Sequence, residues 1–354
     1  MKRASPPLPP PPAQTRGHVL ITGGAGYIGS VLTELLLERG YEVTILDRFF
    51  FGDTIADLRV HPKLHIVRDD VRWWAAGGLP GIDAVCDLAA LSNDPAGELD
   101  PAKTLEINYE GRARICRMAK QAEVRRYVLA SSCSIYGFHD DVVDETSPAN
   151  PLTTYAVANH RAEESILALA SPEFTVTAVR QATVYGLSRR MRFDLAINGM
   201  TLALFKNGCV KILRDGTQWR PMVHIRDTSR AFVAVLEADP AIVNGEIFNV
   251  GSDDQNLQIR PLAERLCQAL GLPYVEDWYG DLDHRSYRVS FRKIRDRLGF
   301  ATRFTPEDGA KEIFNALKQG TVKDGPTTKT VDWYKSLLEW HDTLKSVVQR
   351  DVVL

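Results

Sequence analysis

Long apolar runs are missing from this sequence of 354 residues. No stretch approaches the roughly 18 apolar residues that a membrane-spanning helix needs, so we expect no membrane protein. The N-terminal stretch MKRASPPLPPPPAQTRG also lacks the apolar segment of a secretory signal peptide. Its prolines favour a polyproline II conformation outside the folded part. We therefore expect residues 1–16 to form a disordered tail.

The sequence also lacks an excess of charge of either sign. Its formal net charge is -2, and no window forms a basic stripe, so the pattern excludes the electrostatic footprint of a nucleic-acid-binding protein. The cysteines are few, without CxxC pairs or the spacing of metal ligands. An odd number of scattered thiols indicates reduced cysteines and a cytoplasmic protein without a metal site. These cysteines are Cys86, Cys116, Cys133, Cys209 and Cys267.

Strand and helix patterns alternate from residue 17 onwards. HVLITGG is a short apolar run that ends in glycines, and YIGSVLTELLLERG follows it with apolar residues at helical spacing. YEVTILD, KLHIVRDD, IDAVCDLAA and RYVLASSCSIYG continue as strands, and NYEGRARICRMAKQA is typical of a helix. Regular alternation predicts an α/β protein with a Rossmann-type, doubly wound parallel sheet.

The pattern changes beyond about residue 183, where arginines and aromatic residues replace the strand–helix rhythm. We predict a smaller C-terminal α/β lobe that binds substrate, formed by residues 183–222 and 255–320. Residues 17–182 would form the nucleotide-binding domain, and residues 223–254 would return to it through the strand EIFNVGS. Residues 321–354 would form a helical tail on the surface or at an oligomer interface.

A glycine-rich turn, TGGAGYIG, directly follows the first predicted strand and opens the first predicted helix. Gly23 permits a tight turn, Gly26 lets the backbone approach a pyrophosphate, and Gly29 lets the helix pack closely on the sheet. The first amides of the helix and its dipole would receive the anion. The predicted cofactor-binding residues of this turn are Gly23, Gly26, Tyr27, Ile28 and Gly29.

An acidic residue, Asp47, ends the second predicted strand at the distance expected for a carboxylate that binds the adenosine ribose hydroxyls. Its charge would repel a 2′-phosphate and so favours NAD over NADP. Arg48 follows directly and could accommodate that phosphate, so both cofactors stay open, with NAD preferred.

Several motifs in order, LAALSNDP, SSCSIYG, YAVAN, WRPMVHIRD, EIFNVGS and HRSYRVSFRKIRDRLGF, resemble the extended short-chain dehydrogenase/reductase family. The resemblance runs from about residue 17 to residue 320. It is closer still to the NAD-dependent nucleotide-sugar epimerase and dehydratase branch. It implies bound NAD, a nucleoside-diphosphate sugar as substrate, and a homodimer formed through the helices that flank the tyrosine.

By this resemblance Ser132 corresponds to the catalytic serine or threonine and Tyr155 to the catalytic tyrosine. Along the cofactor the resemblance places Asp70, Val71, Ala89, Leu91, Asn108, Tyr155 and Asn159, with Asn108 supporting the active-site backbone. Around the substrate it places Ser92, Asn93, Ser132, Thr183, Arg192, Arg220 and Arg285, the last two as a diphosphate clamp. Thr183 stands where many relatives carry an asparagine.

Some of these residues have plainer interpretations. Ser132 could cap a turn, and Arg220 and Arg285 could form surface ion pairs. Cys133 has no basic neighbour in sequence, so we expect a buried structural thiol there. His224 lies in an apolar run, and we expect a packed core histidine.

Family dehydratases carry an acid pair directly after the catalytic serine or threonine, and this chain has Cys133 and Ser134 at those positions. Dehydration is therefore disfavoured, and an epimerase is favoured. In that reaction NAD takes a hydride from a sugar carbon and returns it to the other face, with Tyr155 as base and then acid. A nucleotide-sugar dehydrogenase or ketoreductase would need the same residues and stays open as an alternative.

Asn159 stands where the family carries a lysine four residues after the tyrosine. In the family that lysine bonds the nicotinamide ribose and lowers the tyrosine pKa. Asn159 can perform part of the first role and none of the second. His160 and Arg161 lie about 140° and 240° around the helix from Tyr155, so neither replaces the lysine.

Three interpretations of Asn159 stay open. The protein is an active epimerase or oxidoreductase with a modified proton relay, or it binds NAD and a nucleotide-sugar with little catalysis. In the third, it uses the cofactor for another reaction, such as a dehydratase-like or lyase step. A lysine or arginine from another segment could supply the missing charge, and the sequence does not identify one.

Overall fold

The computed structural model describes residues 16–349 of the chain. The predicted tail, apart from Arg16, lies outside the described residues. A seven-stranded sheet forms the centre, with every neighbouring pair of strands parallel. The sheet has the strand order β11-β7-β5-β4-β1-β2-β3. Its strands are β1 (His18–Thr22), β2 (Glu42–Asp47), β3 (Leu64–Arg68), β4 (Ala84–Asp87), β5 (Arg126–Ser132), β7 (Thr175–Gln181) and β11 (Glu246–Val250).

The remaining strands form three small sheets, with the orders β12-β10-β8, β13-β9 and β14-β6. They are β6 (Phe138–Val143), β8 (Thr183–Tyr185), β9 (Val210–Leu213), β10 (Trp219–His224), β12 (Asn256–Gln258), β13 (Glu276–Tyr279) and β14 (Ser286–Val289). The helices are α1 (Tyr27–Glu38), α2 (Asp94–Gly97), α3 (Pro101–Leu105), α4 (Arg112–Gln121), α5 (Thr154–Leu167), α6 (Ala196–Asn207), α7 (Ile225–Glu237), α8 (Pro240–Val243), α9 (Ile259–Leu270), α10 (Arg292–Leu298), α11 (Pro306–Lys318) and α12 (Thr330–Val347).

Helices cover both faces of the large sheet. Successive residues of each strand point to opposite faces and so pack against different helices. Val19 and Ile21 belong to the core that includes residues of α1 and α7. Leu20, between them, belongs to the core that includes residues of α4 and α5. The predicted α/β fold with a doubly wound parallel sheet is confirmed.

A third core lies among α6, α9 and the strands β9 and β10. β11 returns to the large sheet beside β7. β6 lies within residues 17–182 but pairs with β14 and not with a strand of the large sheet. The boundaries between the two lobes stay a prediction.

One helix is longer and less regular than the sequence indicated. NYEGRARICRMAKQA is helical, but the helical stretch already begins with α3 and passes through a π-helical turn, Glu106–Gly111, before α4. Such turns frequently lie at functional sites. The predicted tail helix is α12, and among the described residues no helix is both long and apolar enough to span a bilayer.

A buried ion pair attaches α5 to the sheet. Arg180 on β7 donates from Nη2 to Glu163 on α5 at 2.7 Å and from Nε to the same carboxylate at 3.0 Å. Both side chains are almost fully buried. Ser131 donates a short hydrogen bond to Glu163, and Arg180 bonds the Tyr136 hydroxyl at 2.9 Å. This network sets the position of the helix that begins with Thr154 and Tyr155.

Glu163→Gln is expected to destabilise the protein by about 3 kcal/mol, because it leaves the buried Arg180 charge without its partner. Glu164→Gln is the matched control. Glu164 is the next residue, its side chain is 68% exposed, and the change is expected to cost less than about 0.5 kcal/mol. Urea unfolding of the two variants measures the difference, and equal losses would contradict the anchoring role of Glu163.

Candidate functional site

Tyr155 lies between two cavities at the carboxyl ends of the sheet strands, the edge at which open α/β sheets bind ligands. The first, which we call the cofactor cavity, extends over the glycine-rich turn and the ends of β2 and β3. The second, which we call the substrate cavity, is bordered by α6, β8 and the segment around Asp283. Tyr155 and Arg192 line both cavities.

The glycine-rich turn has the geometry that its sequence predicts. Gly23 has a φ of 72°, in the left-handed region. A Cβ atom on Gly29 would lie 2.1 Å from the carbonyl oxygen of Gly23, so only glycine lets α1 pack this closely. Gly26 caps α1 without a side-chain hydrogen bond, and the first turn holds no acidic residue. The first amides of α1 therefore suit an anionic group in the cofactor cavity.

Asp47 at the end of β2 joins the glycine-rich turn to the following loop. Its carboxylate accepts hydrogen bonds from the Ala25 amide at 3.0 Å and from the Phe49 amide at 2.7 Å. Burial raises the pKa of Asp47 above its ordinary value, although these amides oppose the rise. Arg48 donates to Asp70 at 2.9 Å and stacks on Phe50, so its charge is already engaged. This arrangement favours a ribose with free hydroxyls over one with a 2′-phosphate.

The opposite wall of the cofactor cavity is formed by Val71, Ala89 and Leu91 together with Asp70. Asn108, in the π-helical turn, holds this wall from behind. Its amide accepts from the Leu91 N–H at 2.8 Å and donates to the Leu91 carbonyl at 3.0 Å. Asn108 thus holds the backbone at Leu91, and its side chain does not line the cavity.

Ser132 ends β5 and lines the substrate cavity beside Tyr155. Its hydroxyl accepts from the Ser134 amide at 3.1 Å, so it does cap the short helical turn that follows. The hydroxyl also favours the charged form of Tyr155 and lowers its pKa. Ser132 therefore caps a turn, and its catalytic role stays a prediction.

The pKa of Tyr155 lies above its ordinary value because its partly buried side chain is desolvated, and the nearby Asp94 carboxylate adds to the rise. Two cations, Arg112 and Arg192, act in the opposite direction. A higher pKa leaves a smaller fraction of Tyr155 as tyrosinate at a given pH, and that fraction grows as the pH increases. A reaction that uses Tyr155 as its base is therefore expected to become faster with increasing pH.

Asn159 is buried in the wall of the cofactor cavity, one helical turn after Tyr155. Its side-chain oxygen accepts from Arg112 Nη1 at 3.1 Å, and its nitrogen donates to the Tyr155 carbonyl at 2.9 Å. Arg112 is itself fully buried. The structure thus places beside Asn159 a cation that the sequence did not identify. His160 instead lies 3.4 Å from Glu164, away from the site.

The two positions after Ser132 offer no acid pair. Cys133 is buried, and its thiol donates to the Arg180 carbonyl at 3.3 Å. Burial raises the pKa of this thiol well above its ordinary value. Ser134 is also buried and borders the substrate cavity, and its hydroxyl has no hydrogen-bond partner among the described residues. The expectation of a structural thiol at Cys133 is confirmed.

The two predicted clamp arginines meet at one end of the substrate cavity. Arg220 donates to Asp283 at 2.6 Å, and Arg285 donates to the same carboxylate at 2.8 Å. Arg285 also forms a short ion pair with Asp94. These arginines are not surface pairs, because Arg220 is buried and Arg285 is partly buried. The cluster presents two guanidinium groups to the cavity, each held by a carboxylate.

The predicted residues Ser92, Asn93 and Thr183 also line the substrate cavity. Arg192 donates to the Ser92 hydroxyl at 3.1 Å and to Asp194 at 2.6 Å. His224 lies outside both cavities and is fully buried. It accepts from the Arg226 amide and contacts Glu312 at 2.8 Å, so the expected core histidine is confirmed.

Part of the cofactor cavity comes from residues that sequence reasoning missed. Phe50, Phe51, Arg190 and Tyr334 line it, and Tyr334 belongs to α12. Arg190 lies 3.6 Å from the Phe51 ring centre and donates to Thr330 at 2.8 Å, and its other two guanidinium nitrogens have no partner among the described residues. Burial, together with the nearby charge of Arg192, lowers the pKa of Arg190 to about 9.

A family comparison agrees with this geometry. The model of the NAD dependent epimerase/dehydratase family matches residues 19–251, which is more than half of the chain. The chain belongs to this family.

Relatives of this epimerase/dehydratase family member cover nearly its whole length. A dTDP-glucose 4,6-dehydratase from Streptomyces griseus is 29% identical over 346 residues, 92% of this chain and 97% of the relative. A Methanocaldococcus jannaschii protein provisionally named UDP-glucose 4-epimerase is 26% identical over 310 residues, 85% of this chain and 98% of the relative.

Among solved structures, MoeE5 in complex with UDP-glucuronic acid and NAD superposes with a TM-score of 0.76. It is 28% identical, and the match covers 86% of this chain and 100% of MoeE5. The relatives of this family member thus include enzymes of more than one reaction, so family membership alone does not choose between epimerisation and dehydration.

Alkylation of the folded protein is expected to be at least about tenfold slower at Cys133 than at Cys209, because Cys133 is buried with a raised pKa while Cys209 is partly accessible. Mass spectrometry of iodoacetamide-treated protein measures both rates, and Cys209→Ser assigns the fast site. Equal rates at the two cysteines would show that position 133 is open to the substrate cavity.

Proposed function

We propose that the protein is an NAD-dependent nucleotide-sugar epimerase that acts through a transient 4-keto-type sugar. The observation that carries this proposal is the position of Tyr155, which lines both cavities beside Ser132 while Cys133 and Ser134 fill the acid-pair positions. A tyrosine can move the proton of a sugar hydroxyl in both directions, whereas elimination of water needs a further acid that these two residues do not provide.

The cofactor cavity fits a dinucleotide. The open backbone at Gly26 and the amides of α1 suit the pyrophosphate, and Asp47 suits the adenosine ribose. The NAD bound in MoeE5, a structure of the same fold, supports NAD as the cofactor. When bound, NAD supplies the reversible acceptance of a hydride from the sugar carbon.

The substrate cavity fits a nucleoside-diphosphate sugar. Arg220 and Arg285 would bind the diphosphate, because planar guanidinium groups match phosphate oxygens in a bidentate manner. Ser92, Asn93, Thr183 and Arg192 would surround the sugar. The UDP-glucuronic acid bound in MoeE5 supports a substrate of this class.

In this proposal Tyr155 removes the proton of the reacting sugar hydroxyl as the hydride leaves, and it returns the proton when the hydride comes back. Ser132 would hydrogen-bond the same sugar oxygen and hold it near Tyr155. Between these steps the flat keto sugar presents its opposite face, and the arginines at the far end of the cavity hold the diphosphate meanwhile.

The dehydrogenase or ketoreductase alternative requires the cofactor to exchange after each reaction. Contacts between α12 and the loop with Phe50 and Phe51, at the wall of the cofactor cavity, argue against rapid exchange of the cofactor. Trp333 on α12 donates from its indole N–H to the Phe50 carbonyl at 2.6 Å. Tyr334 packs edge-on against Phe50, with ring centres 5.9 Å apart, and against Phe51 at 5.6 Å. A cofactor held through many turnovers suits an epimerase.

Incubation with nucleotide-sugars tests the proposed function. UDP-glucose, UDP-glucuronic acid and dTDP-glucose carrying deuterium at C4 are each expected to give either no reaction or the C4 epimer with its deuterium retained, and at least one should give the epimer. The label stays because the abstracted hydride returns without exchange with water. Nuclear magnetic resonance of the products measures both stereochemistry and label.

Other results would identify the alternatives. Accumulating NADH in proportion to substrate would indicate a dehydrogenase, and a 4-keto-6-deoxy product would indicate a dehydratase. If calorimetry shows NAD binding while no substrate reacts, the interpretation as a binding protein replaces the proposal. The homodimer and the cytoplasmic location stay predictions.

Tyr334→Ala is expected to weaken NAD binding by about tenfold, because it removes an aromatic wall worth roughly 1–2 kcal/mol. Lys335→Ala is the matched control, since Lys335 is exposed on the same helix. Calorimetric titration measures the affinity of each variant for NAD. A separate release experiment measures the rate at which NAD leaves the protein. An unchanged dissociation rate in Tyr334→Ala would contradict a retaining role for α12.

A further inference from the structure

Arg112 is a fully buried cation directly behind the wall of the cofactor cavity. Its Nε donates to the Asp87 carboxylate at 3.0 Å, and its Nη2 donates to the carbonyls of Asp87 at 3.0 Å and Ala130 at 2.6 Å. Its Nη1 points the other way and donates to the side-chain oxygen of Asn159 at 3.1 Å. The guanidinium therefore connects the sheet to the helix that carries Tyr155.

This contact fixes the orientation of the Asn159 amide. A guanidinium group only donates hydrogen bonds, so the amide oxygen has to face Arg112 and the NH₂ group has to face away from it. One N–H donates to the Tyr155 carbonyl at 2.9 Å. Asn159 lines the cofactor cavity, which leaves its second N–H as a donor available there. Without Arg112 the amide could turn over and present an acceptor instead.

The charge of Arg112 also bears on Tyr155. Asp87 balances that charge on the side away from α5, where Thr22 at 2.5 Å and Tyr127 at 2.6 Å donate to the same carboxylate. These two hydroxyls spread the negative charge of Asp87 on the sheet side. Of the groups that lower the pKa of Tyr155, Arg112 has the largest effect, ahead of Ser132 and Arg192.

We propose that Arg112 is a positioning residue for the acid–base chemistry of Tyr155. It orients Asn159 as a hydrogen-bond donor toward the cofactor ribose, and it supplies the buried positive charge that favours the tyrosinate. The pair Arg112–Asn159 thus divides between two side chains a donor and a charge that a single lysine at position 159 would combine. This inference rests on the proposed function in one respect, since it assigns Tyr155 the proton transfer.

The test measures the pKa of Tyr155 in the NAD complex and needs no turnover. Isotope-labelled tyrosine is followed by ring-carbon NMR against pH, and Tyr155→Phe assigns the signal. Arg112→Met is expected to raise this pKa by about one unit, because a cation within several ångströms has an effect of that order at a protein interior. Arg112→Lys keeps the charge and is expected to leave the pKa near that of the unmodified protein.

Charge exchange sharpens the test. Asn159→Lys alone places a second cation against Arg112 in a buried site and is expected to destabilise the protein. Arg112→Met with Asn159→Lys is expected to fold and to return the Tyr155 pKa to near its original value. Arg117→Met removes an exposed charge from the same helix and serves as the control, with no expected change in the pKa.

The outcomes separate this inference from the proposed function. An unchanged Tyr155 pKa in Arg112→Met, or a double variant no closer to the unmodified protein than Arg112→Met, overturns the role of Arg112. If Arg112→Met does not fold, Arg112→Met with Asp87→Asn removes both buried charges, and a smaller rise in the same direction is expected, because the loss of the Asp87 anion offsets part of it. If no nucleotide-sugar reacts with the unmodified protein, the proposed function fails while the pKa measurement still decides on Arg112. Where turnover is found, the acid limb of kcat/KM should move with the pKa.

Discussion

The buried ion pair between Arg112 and Asp87 connects β4, β5, α4 and α5 at the point where the site is formed. Placing two charges in the interior costs several kcal/mol of desolvation for each ion, which only close contact and further hydrogen bonds offset. Here the carboxylate also receives Thr22 and Tyr127, and the guanidinium reaches two carbonyls and Asn159. A pair satisfied on every side holds the sheet and the tyrosine helix in one fixed relation.

The local parts of the site could be predicted from the sequence because their causes are local. Gly23 and Gly29 are required by a positive φ and by a close approach within one turn, and Asp47 follows from the end of a strand. Arg112 and Asn159 are 47 residues apart, and their contact depends on how two helices pack on the same sheet. Trp333 and Phe50 are 283 residues apart. No pattern of spacing along the chain encodes such pairs.

The arginines of the site fall into two kinds that sequence reasoning could not separate. Arg220 and Arg285 are held by Asp283 and Asp94, so the proposed diphosphate would have to compete with carboxylates that already occupy them. The pKa of Asp283 stays below its usual range because both arginines outweigh the effect of its burial. Such competition favours a ligand with two negative groups over a single weak anion. Arg190 instead has two guanidinium nitrogens without partners within residues 16–349, and burial beside Arg192 lowers its pKa.

The place of α12 in the cofactor cavity has a consequence for how the protein is made. The glycine-rich turn and the loop with Phe50 leave the ribosome early, whereas Tyr334 is added roughly three hundred residues later. The sheet can form around its first strands during synthesis, but the wall that encloses the dinucleotide cannot. Nascent chains can therefore complete the aromatic wall of the cofactor cavity only after residue 334 has been synthesised.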